Sequence, residues 1–147
     1  MTESQYIDKK IFYVFRENNL KVTPQRIAIA KYVFNNSEHP TAKRIYQEIR
    51  RVHPTVSMAT IYATLKVLKE VGLLQELNLP DGQSRFDPNL EPHAHLICEK
   101  CGDITDWEDP LLSELVSNIS NDAHFIVSAS GLNLNGVCRK CQADKNT

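Results

Sequence analysis

Apolar positions recur with helical spacing through the first half of the chain, and residues that favour helix starts precede them. The segment "VTPQRIAIAKYVF" opens with Thr23, a good N-cap, followed by Pro24 at the first helical position. The segment "HPTAKRIYQEI" repeats this arrangement, with Thr41 as the cap and with Ile45 and Ile49 four positions apart. Each segment is therefore predicted to form a helix with one buried face.

A third segment, "VSMATIYATLKVLKEVGLL", carries the clearest helical pattern. Ser57 is its candidate N-cap, and Gly72 is its candidate end. One stripe of apolar positions at i, i+4 and i+7 is predicted to be buried, and it consists of Ile61, Leu65 and Leu68. A second stripe, rotated by one residue, carries polar tips and consists of Tyr62, Lys66 and Lys69.

Two short extended runs follow in "LLQELNLPDGQSRFD", on either side of Asp81 and Gly82, a pair that favours a hairpin turn. Helices followed by a hairpin are the element order of a winged helix-turn-helix, whose recognition helix enters the major groove of DNA. Two kinds of DNA contact are predicted: base edges or backbone for Tyr62 and Thr64, and phosphates for Lys66, Lys69 and Arg85. A small helical domain with an ordinary solvated face has the same pattern and stays open as an alternative.

The second half of the chain has the pattern of a smaller α/β unit. Leu111, Leu115 and Ile119 are spaced by four in "DPLLSELVSNISND", which predicts an amphipathic helix. Strands are predicted for "HAHLIC", "DITDW", "HFIVSAS" and "LNLNGVC". The strand edges and the apolar helix could support a dimer. The expected fold class is α+β, with a winged-helix DNA-binding domain over residues 1–86 and a small metal-binding dimerisation domain over residues 87–147.

Charge divides the chain at the same place. Residues 1–86 carry 13 Lys and Arg against 8 Asp and Glu, a net +5, whereas residues 87–147 carry 4 against 10, a net −6. A basic half joined to an acidic half indicates two modules with different partners, although a chance distribution would explain charge alone as well. The sequence contains neither an apolar run long enough for a membrane span nor a secretory signal, so we expect a cytoplasmic protein without a membrane partner.

All four cysteines lie in two CxxC pairs, Cys98 with Cys101 and Cys138 with Cys141. Paired CxxC motifs have the spacing of a four-cysteine zinc site, and four thiolates close the coordination shell, so we expect a structural Zn²⁺. Cytoplasmic cysteines stay reduced, which favours metal ligands over disulfides. The alternatives are a thioredoxin-like redox pair or four unrelated thiols, and a redox pair does not explain two copies of the motif.

Two histidines precede the first CxxC pair. His93 and His95 alternate along an extended run, so both can point to one side. Mixed imidazole and carboxylate ligands suit Fe(II), Mn(II) or Zn(II). The carboxylates close to them in sequence are Asp87, Glu91, Asp103 and Asp106. On these residues alone, surface histidines are the more common outcome of such a motif. We assign neither His53 nor His124 to a metal.

Together these segments resemble the ferric uptake regulator (Fur) family of metal-dependent repressors. The resemblance runs from "KVTPQR" to "CRKC" and rests on "TPQR", "HPTA", "SMATIYATL", "SRFD", "HAHLIC" and both CxxC pairs. The chain is most similar to the peroxide-sensing PerR branch, whose regulatory site uses three histidines and two aspartates. The matching residues are His39, Asp87, His93, His95 and Asp106. Iron-sensing members usually carry a glutamate at the position of Asp106.

The resemblance implies a homodimer that binds a double-stranded DNA operator when Fe(II) or Mn(II) occupies these ligands. It also implies that hydrogen peroxide oxidises a ligand histidine when iron is bound, with His39 and His93 as the favoured targets. A further metal site of the family looks absent, because Pro92 and Ala94 stand at its ligand positions. Ala63 departs from the arginine or asparagine that often follows the recognition-helix tyrosine, so the operator sequence does not follow from the resemblance.

Three other functions remain as alternatives. A repressor that senses iron or manganese availability would use the same five ligands without histidine oxidation. A metalloenzyme could also be built from HxH and carboxylates. We expect no enzyme, because no obvious general base, nucleophile or substrate-pocket motif accompanies the ligands. A zinc-stabilised protein-interaction module would not bind DNA.

Overall fold

The computed structural model describes residues 2–128 and 130–143. The chain divides into two compact units, one that ends at Asn89 and one that begins at Leu90. In the described ranges, no helix is both long enough and apolar enough to cross a membrane.

Over residues 2–89, the first unit contains four helices and an antiparallel hairpin. Its elements are α1 (Glu3–Glu17), α2 (Pro24–Phe34), α3 (Ala42–Ile49), α4 (Met58–Glu70), β1 (Gln75–Asn78) and β2 (Ser84–Asp87). Helices α2 to α4 followed by the hairpin are the winged helix-turn-helix that the sequence predicts. Helix α1 is absent from the prediction, although Thr2 and Gln5 form a capping box at its start and the buried Ile11 and Phe15 are four residues apart.

The predicted helix ends are present in atomic detail. The hydroxyls of Thr23, Thr41 and Ser57 each accept a hydrogen bond from the backbone N–H three residues later, at 3.1 to 3.2 Å. Gly72 ends α4 with a φ of +75°, a left-handed conformation that glycine adopts without strain. The N–H of the next residue then bonds back to the carbonyl of Leu68 at 2.9 Å.

The hydrophobic core of the first unit is built from the facing sides of its helices and is closed by Phe86 of the hairpin. The predicted stripe Ile61, Leu65 and Leu68 is buried in it. The other core residues are Ile11, Phe15, Ile29, Ala30, Val33, Ala42, Ile45, Ile49, Val56 and Leu74. Each large side chain of this kind contributes about 1.5–3 kcal/mol when it is fully buried. This core therefore gives α4 a rigid support.

In its described residues, the second unit contains a three-stranded sheet, a helix between the second and third strands, and a short helix after the third strand. Its elements are β3 (Ala94–Cys98), β4 (Ile104–Trp107), α5 (Pro110–Asp122), β5 (Leu132–Gly136) and α6 (Arg139–Ala143). Strand β3 is central, antiparallel to β4 and parallel to β5. The register sets His95 opposite Asp106 on one side and Asn133 on the other. The predicted α+β fold class is confirmed.

The strand predicted for "HFIVSAS" is wrong for residues 124–128 and 130, which are the described part of that segment. His124 adopts a φ of +50° and ends α5 with a left-handed cap. The N–H of Phe125 bonds to the carbonyl of Ser120 at 2.9 Å, and the Ser120 hydroxyl donates to the Phe125 carbonyl. Both backbone groups of Phe125 are thus committed to closing the helix, so they cannot extend a sheet.

Few apolar side chains are buried in the second unit. Among its described residues they are Ala94, Ile97 and Cys98. The predicted apolar stripe of α5 is present but lies on the surface, with Leu111 70%, Leu115 53% and Ile119 51% exposed. An apolar helix face of this kind is typical of a surface that is covered in an assembly.

Candidate metal centres

Four cysteine sulfurs converge where β3 ends and α6 begins. Cys98 is the last residue of β3, Cys101 lies in the following turn, and Cys138 and Cys141 flank the start of α6. None of the four forms a disulfide, and their Sγ atoms all lie within 4.8 Å of one another. The Sγ atoms of Cys101 and Cys138 are 3.8 Å apart. Zinc–sulfur bonds of about 2.3 Å give a tetrahedron with edges of about 3.8 Å, so the arrangement fits Zn²⁺.

Backbone groups prepare one of these thiols for ionisation. The N–H groups of Cys101 and Cys138 donate to the Sγ atom of Cys98, at 3.5 and 3.4 Å, and lower the pKa of Cys98 to about 6. The neighbouring side chain of Cys138 contributes most to raising the pKa of Cys141 to about 12. Four crowded sulfurs can all be thiolates only when a cation offsets their mutual repulsion. The donor set therefore favours a bound metal.

A histidine and an aspartate form a buried pair in the first unit. The Nε2 atom of His39 lies 3.3 Å from the Oδ2 atom of Asp87. His39 has a φ of +55°, which is uncommon for a residue other than glycine. Two hydrogen bonds connect its loop to β2, the strand that carries Asp87: the Phe86 N–H donates to the Pro40 carbonyl at 3.0 Å, and the Arg85 guanidinium donates to the His39 carbonyl at 3.3 Å.

Two histidines and an aspartate meet in the second unit. The Nε2 atoms of His93 and His95 are 2.9 Å apart, and both imidazoles are fully buried. The Oδ1 atom of Asp106 lies 3.8 Å from Nε2 of His93 and 3.6 Å from Nε2 of His95. Neighbouring ligands about 2.1 Å from an octahedral ion are about 3.0 Å apart, so the two histidines match adjacent positions around one metal ion.

The hydrogen-bond partner of the Nδ1 atom of each imidazole determines which ring nitrogen carries the proton. The Nδ1 atom of His93 lies 2.6 Å from the carbonyl oxygen of Glu91, an atom that only accepts, so Nδ1 is the donor. The Nδ1 atom of His95 faces the Oδ1 atom of Asn133 at 3.2 Å, which requires the same tautomer. Both Nε2 lone pairs then point toward each other across 2.9 Å. A bound cation that both nitrogens coordinate would remove this repulsion, so the pair fits a metal site.

The other sequence candidates have different roles. Asp103 accepts the N–H of Cys98 through its carbonyl at 2.9 Å, and Glu91 acts through its carbonyl on His93. His124 caps α5. Asn133 is absent from the sequence candidates, because its position beside His95 depends on the register of β5 with β3.

The predicted polar stripe of α4 lies along a groove of about 570 Å³ between this helix and the hairpin, and Tyr62 is 57% exposed there. Thr64 is not part of this face. It is fully buried, and its hydroxyl donates to the carbonyl of Thr60 at 2.8 Å. The side chain of Thr64 is therefore not available for the DNA contact that the sequence predicts. The reason is its position three residues after Ile61, which places it on the core side of the helix.

The sequence and the structure of this chain are both similar to those of metal-dependent regulators. The sequence profile described as the ferric uptake regulator family matches residues 17–135. The peroxide-responsive repressor PerR of Staphylococcus epidermidis is 40% identical over 131 residues, which are 89% of this chain and 87% of that protein. The crystal structure of the Campylobacter jejuni peroxide stress regulator has a TM-score of 0.70 at 30% identity and covers 96% of this chain and 100% of its own.

A more distant structure supports the same fold. The ferric uptake regulator Fur of Helicobacter pylori has a TM-score of 0.78 at 21% identity, with 94% of this chain and 93% of that chain covered. The profile match covers most of the chain, and the four-cysteine cluster and the histidine–aspartate groups lie where the sequence motifs place them. The chain therefore belongs to the ferric uptake regulator family.

Proposed function

We propose that this protein is a metal-dependent DNA-binding repressor that senses hydrogen peroxide through the iron-catalysed oxidation of a ligand histidine. The observation that carries the proposal is a set of three buried histidines with the buried Asp87 and the half-buried Asp106, one pair in the first unit and one trio in the second. In the trio, the Nε2 atoms of His93 and His95 face each other at 2.9 Å. The relatives named as peroxide-responsive repressors support the choice of stimulus.

The two groups would act as one regulatory site for Fe(II) or Mn(II). His39 and Asp87 belong to the first unit, and His93, His95 and Asp106 belong to the second. Ligands supplied by both units would link the DNA-binding unit to the rest of the protein. In a two-fold dimer this link would fix the separation of the two α4 helices, as operator half-sites about 34–36 Å apart require. DNA binding would then tighten metal binding by linkage.

The second unit would supply the dimer and its structural metal. The four cysteine sulfurs would hold Zn²⁺ with no open position, so that ion would have a purely structural role. The exposed apolar face of α5, formed by Leu111, Leu115 and Ile119, would be covered by a second copy of the chain. A homodimer is the assembly that presents two recognition helices to one double-stranded operator.

The DNA contacts would come from α4 and its surroundings. Tyr62 and Lys66 have the exposure needed to reach bases or phosphates. Arg85 would act mainly through its hydrogen bond to the His39 carbonyl, which connects the wing strand to a metal-ligand loop. Lys69 is different, because its Nζ atom lies 2.6 Å from the Oε2 atom of Glu76, and a phosphate would have to compete with this carboxylate.

Histidine oxidation would break the metal-mediated link between the two units. Bound Fe(II) would supply the reactivity toward hydrogen peroxide, and the net change adds one oxygen atom to a ring carbon of the imidazole and releases one water molecule. His39 and His93 remain the proposed targets. The oxidised ring is a poorer ligand, so the remaining four ligands would hold the metal less tightly and the DNA-competent arrangement would be lost. Mn(II) would support DNA binding without this reaction.

The proposal is tested by release from DNA. Selection from a random duplex library with Mn(II)-loaded protein supplies a high-affinity operator. Fluorescence anisotropy should then show that hydrogen peroxide releases Fe(II)-loaded protein from this operator and leaves Mn(II)-loaded protein bound. If both forms stay bound, the protein is a metal-availability sensor with the same ligands. If the selection recovers no preferred sequence at any salt concentration, repressor function is refuted.

A further inference from the structure

One lysine of the α4 polar stripe is held by a carboxylate of the hairpin. The Nζ atom of Lys69 lies 2.6 Å from the Oε2 atom of Glu76, which is in β1. The donated hydrogen bond from Lys69 is the main reason that the pKa of Glu76 is lowered from its usual value. Glu76 is therefore ionised at neutral pH, and the pair carries no net charge.

The pair lies in the groove between α4 and the hairpin. Among the residues that line this groove of about 570 Å³, the charged ones are Lys43, Lys66, Lys69 and Glu76. Three lysines around an open groove suit a phosphate-bearing strand, and Glu76 opposes the charge of one of them. Lys66 is in a different situation. Its contact with Glu70 is 3.9 Å long, and both side chains are more than half exposed, so Lys66 can exchange this partner for a phosphate.

We propose that the groove between α4 and the hairpin receives the sugar-phosphate backbone of duplex DNA, and that Glu76 is a built-in counter-ion that withholds Lys69 from phosphate binding. This inference rests on the proposed DNA-binding function and assigns to Glu76 a role in setting the affinity for non-operator sequences. A lysine that binds phosphate releases a mobile cation from DNA, whereas a lysine already neutralised by a carboxylate of its own chain does not. Contact between Lys69 and phosphate would also leave the Glu76 carboxylate unpaired beside the phosphates.

The consequence is a lower sequence-independent affinity. Phosphate contacts dominate binding to any duplex, so each lysine that is withheld reduces non-specific binding. Base contacts from the rest of α4 would then account for a larger share of operator binding. Glu76 would in this way raise specificity without contacting a base.

The experiment measures non-specific binding, so it needs no knowledge of the operator. Full-length Mn(II)-loaded protein is titrated onto a random-sequence fluorescent duplex between 50 and 200 mM KCl, as wild type, Glu76→Gln, Lys69→Met/Glu76→Gln and Glu70→Gln. Glu76→Gln frees Lys69, and the slope of log K against log [KCl] should become steeper by about 0.9. Across this fourfold range of salt, affinity should therefore fall about 3.5-fold further than in wild type.

Two controls separate the pair from a general charge effect. The double variant has the net charge of wild type and should recover the wild-type slope and affinity. Glu70→Gln removes the same charge from the same face but from a loose contact, so its slope should stay at the wild-type value. Circular dichroism confirms that each variant is folded.

Two results would overturn the inference. One is a wild-type slope in Glu76→Gln. The other is a slope in the double variant that is shallower than wild type by about 0.9, since this would mean that Lys69 already binds phosphate. Failure of the wild-type protein to bind any duplex would refute the proposed function itself and, with it, the inference.

Discussion

Loss of the four-cysteine metal should unfold the second unit and leave the first unit folded. The perturbation is either a strong zinc chelator or Cys141→Ser, which removes one of the four sulfurs that lie within 4.8 Å of one another. Lys140→Ser is the matched control, because Lys140 is an exposed neighbour in α6 that is not a ligand.

The stabilising free energy of each unit can be compared from the apolar side chains that it buries. In the described part of the second unit the buried apolar side chains are Ala94, Ile97 and Cys98, and a fully buried isoleucine contributes only about 1.5–3 kcal/mol. Zinc binding by structural sites contributes about 10–16 kcal/mol at neutral pH. A zinc ion bound by the four cysteines would therefore be the dominant stabilising interaction of this unit. Among its described residues, the first unit has fourteen core residues of its own and contributes none of the clustered cysteines.

Hydrogen exchange followed by mass spectrometry measures the protection of the backbone amides in each unit separately. After zinc loss, verified by metal analysis, the amides of β3, β4 and β5 should lose protection, whereas those of α2 and α4 should keep it. Lys140→Ser should exchange like wild type. Persistence of protection in β3 and β5 without zinc would show that the small core or the assembly suffices, and the reasoning from burial would be refuted.

Three further predictions follow from individual contacts. Asn133→Leu removes the oxygen that faces Nδ1 of His95 and should weaken Mn(II) binding about 10–100-fold, as measured by calorimetry. Asn135→Leu, on the same face of β5 opposite Ile97, should bind Mn(II) normally. Equal Mn(II) affinities of the two variants would refute the role of Asn133. Asp106→Glu should slow peroxide oxidation of the histidines, as followed by mass spectrometry against time, and an unchanged rate would count against Asp106 as a ligand. Leu68→Ala, at a fully buried position, should lower the free energy of unfolding of the first unit by about 2–5 kcal/mol in denaturant titrations. Val52→Ala, at a position that is 75% exposed, should change this free energy by less than about 0.5 kcal/mol. Equal effects of the two substitutions would contradict the described core.

The helix ends can be predicted from the sequence, because interactions between neighbouring residues determine them. The caps at Thr23, Thr41 and Ser57 and the end of α4 at Gly72 depend on hydrogen bonds between residues a few positions apart, so they can be read directly. The cysteine cluster was also predictable, because the spacing within each CxxC motif positions two sulfurs on one turn of the chain.

Other features depend on contacts that are distant in the sequence. Asn133 reaches His95 only because β5 pairs with β3 in one particular register, and no local pattern specifies that register. Lys69 and Glu76 are in contact because α4 and the hairpin pack against each other. The helical spacing of Lys69 on α4 therefore does not indicate that a carboxylate of the hairpin neutralises its charge. The strand wrongly predicted at residues 124–128 and 130 is instead a local error, because the helix cap at His124 commits the backbone groups of Phe125.

The central claim is that a ligand histidine is the chemical sensor. It is tested most directly by peptide mass spectrometry of full-length protein after mild treatment with hydrogen peroxide, with Fe(II)-loaded and Mn(II)-loaded samples compared. We predict one added oxygen on His39 or His93 in the iron-loaded protein alone, with His53 and His124 unmodified as internal controls. Histidines that remain unmodified while the iron-loaded protein still loses its affinity for DNA would contradict it.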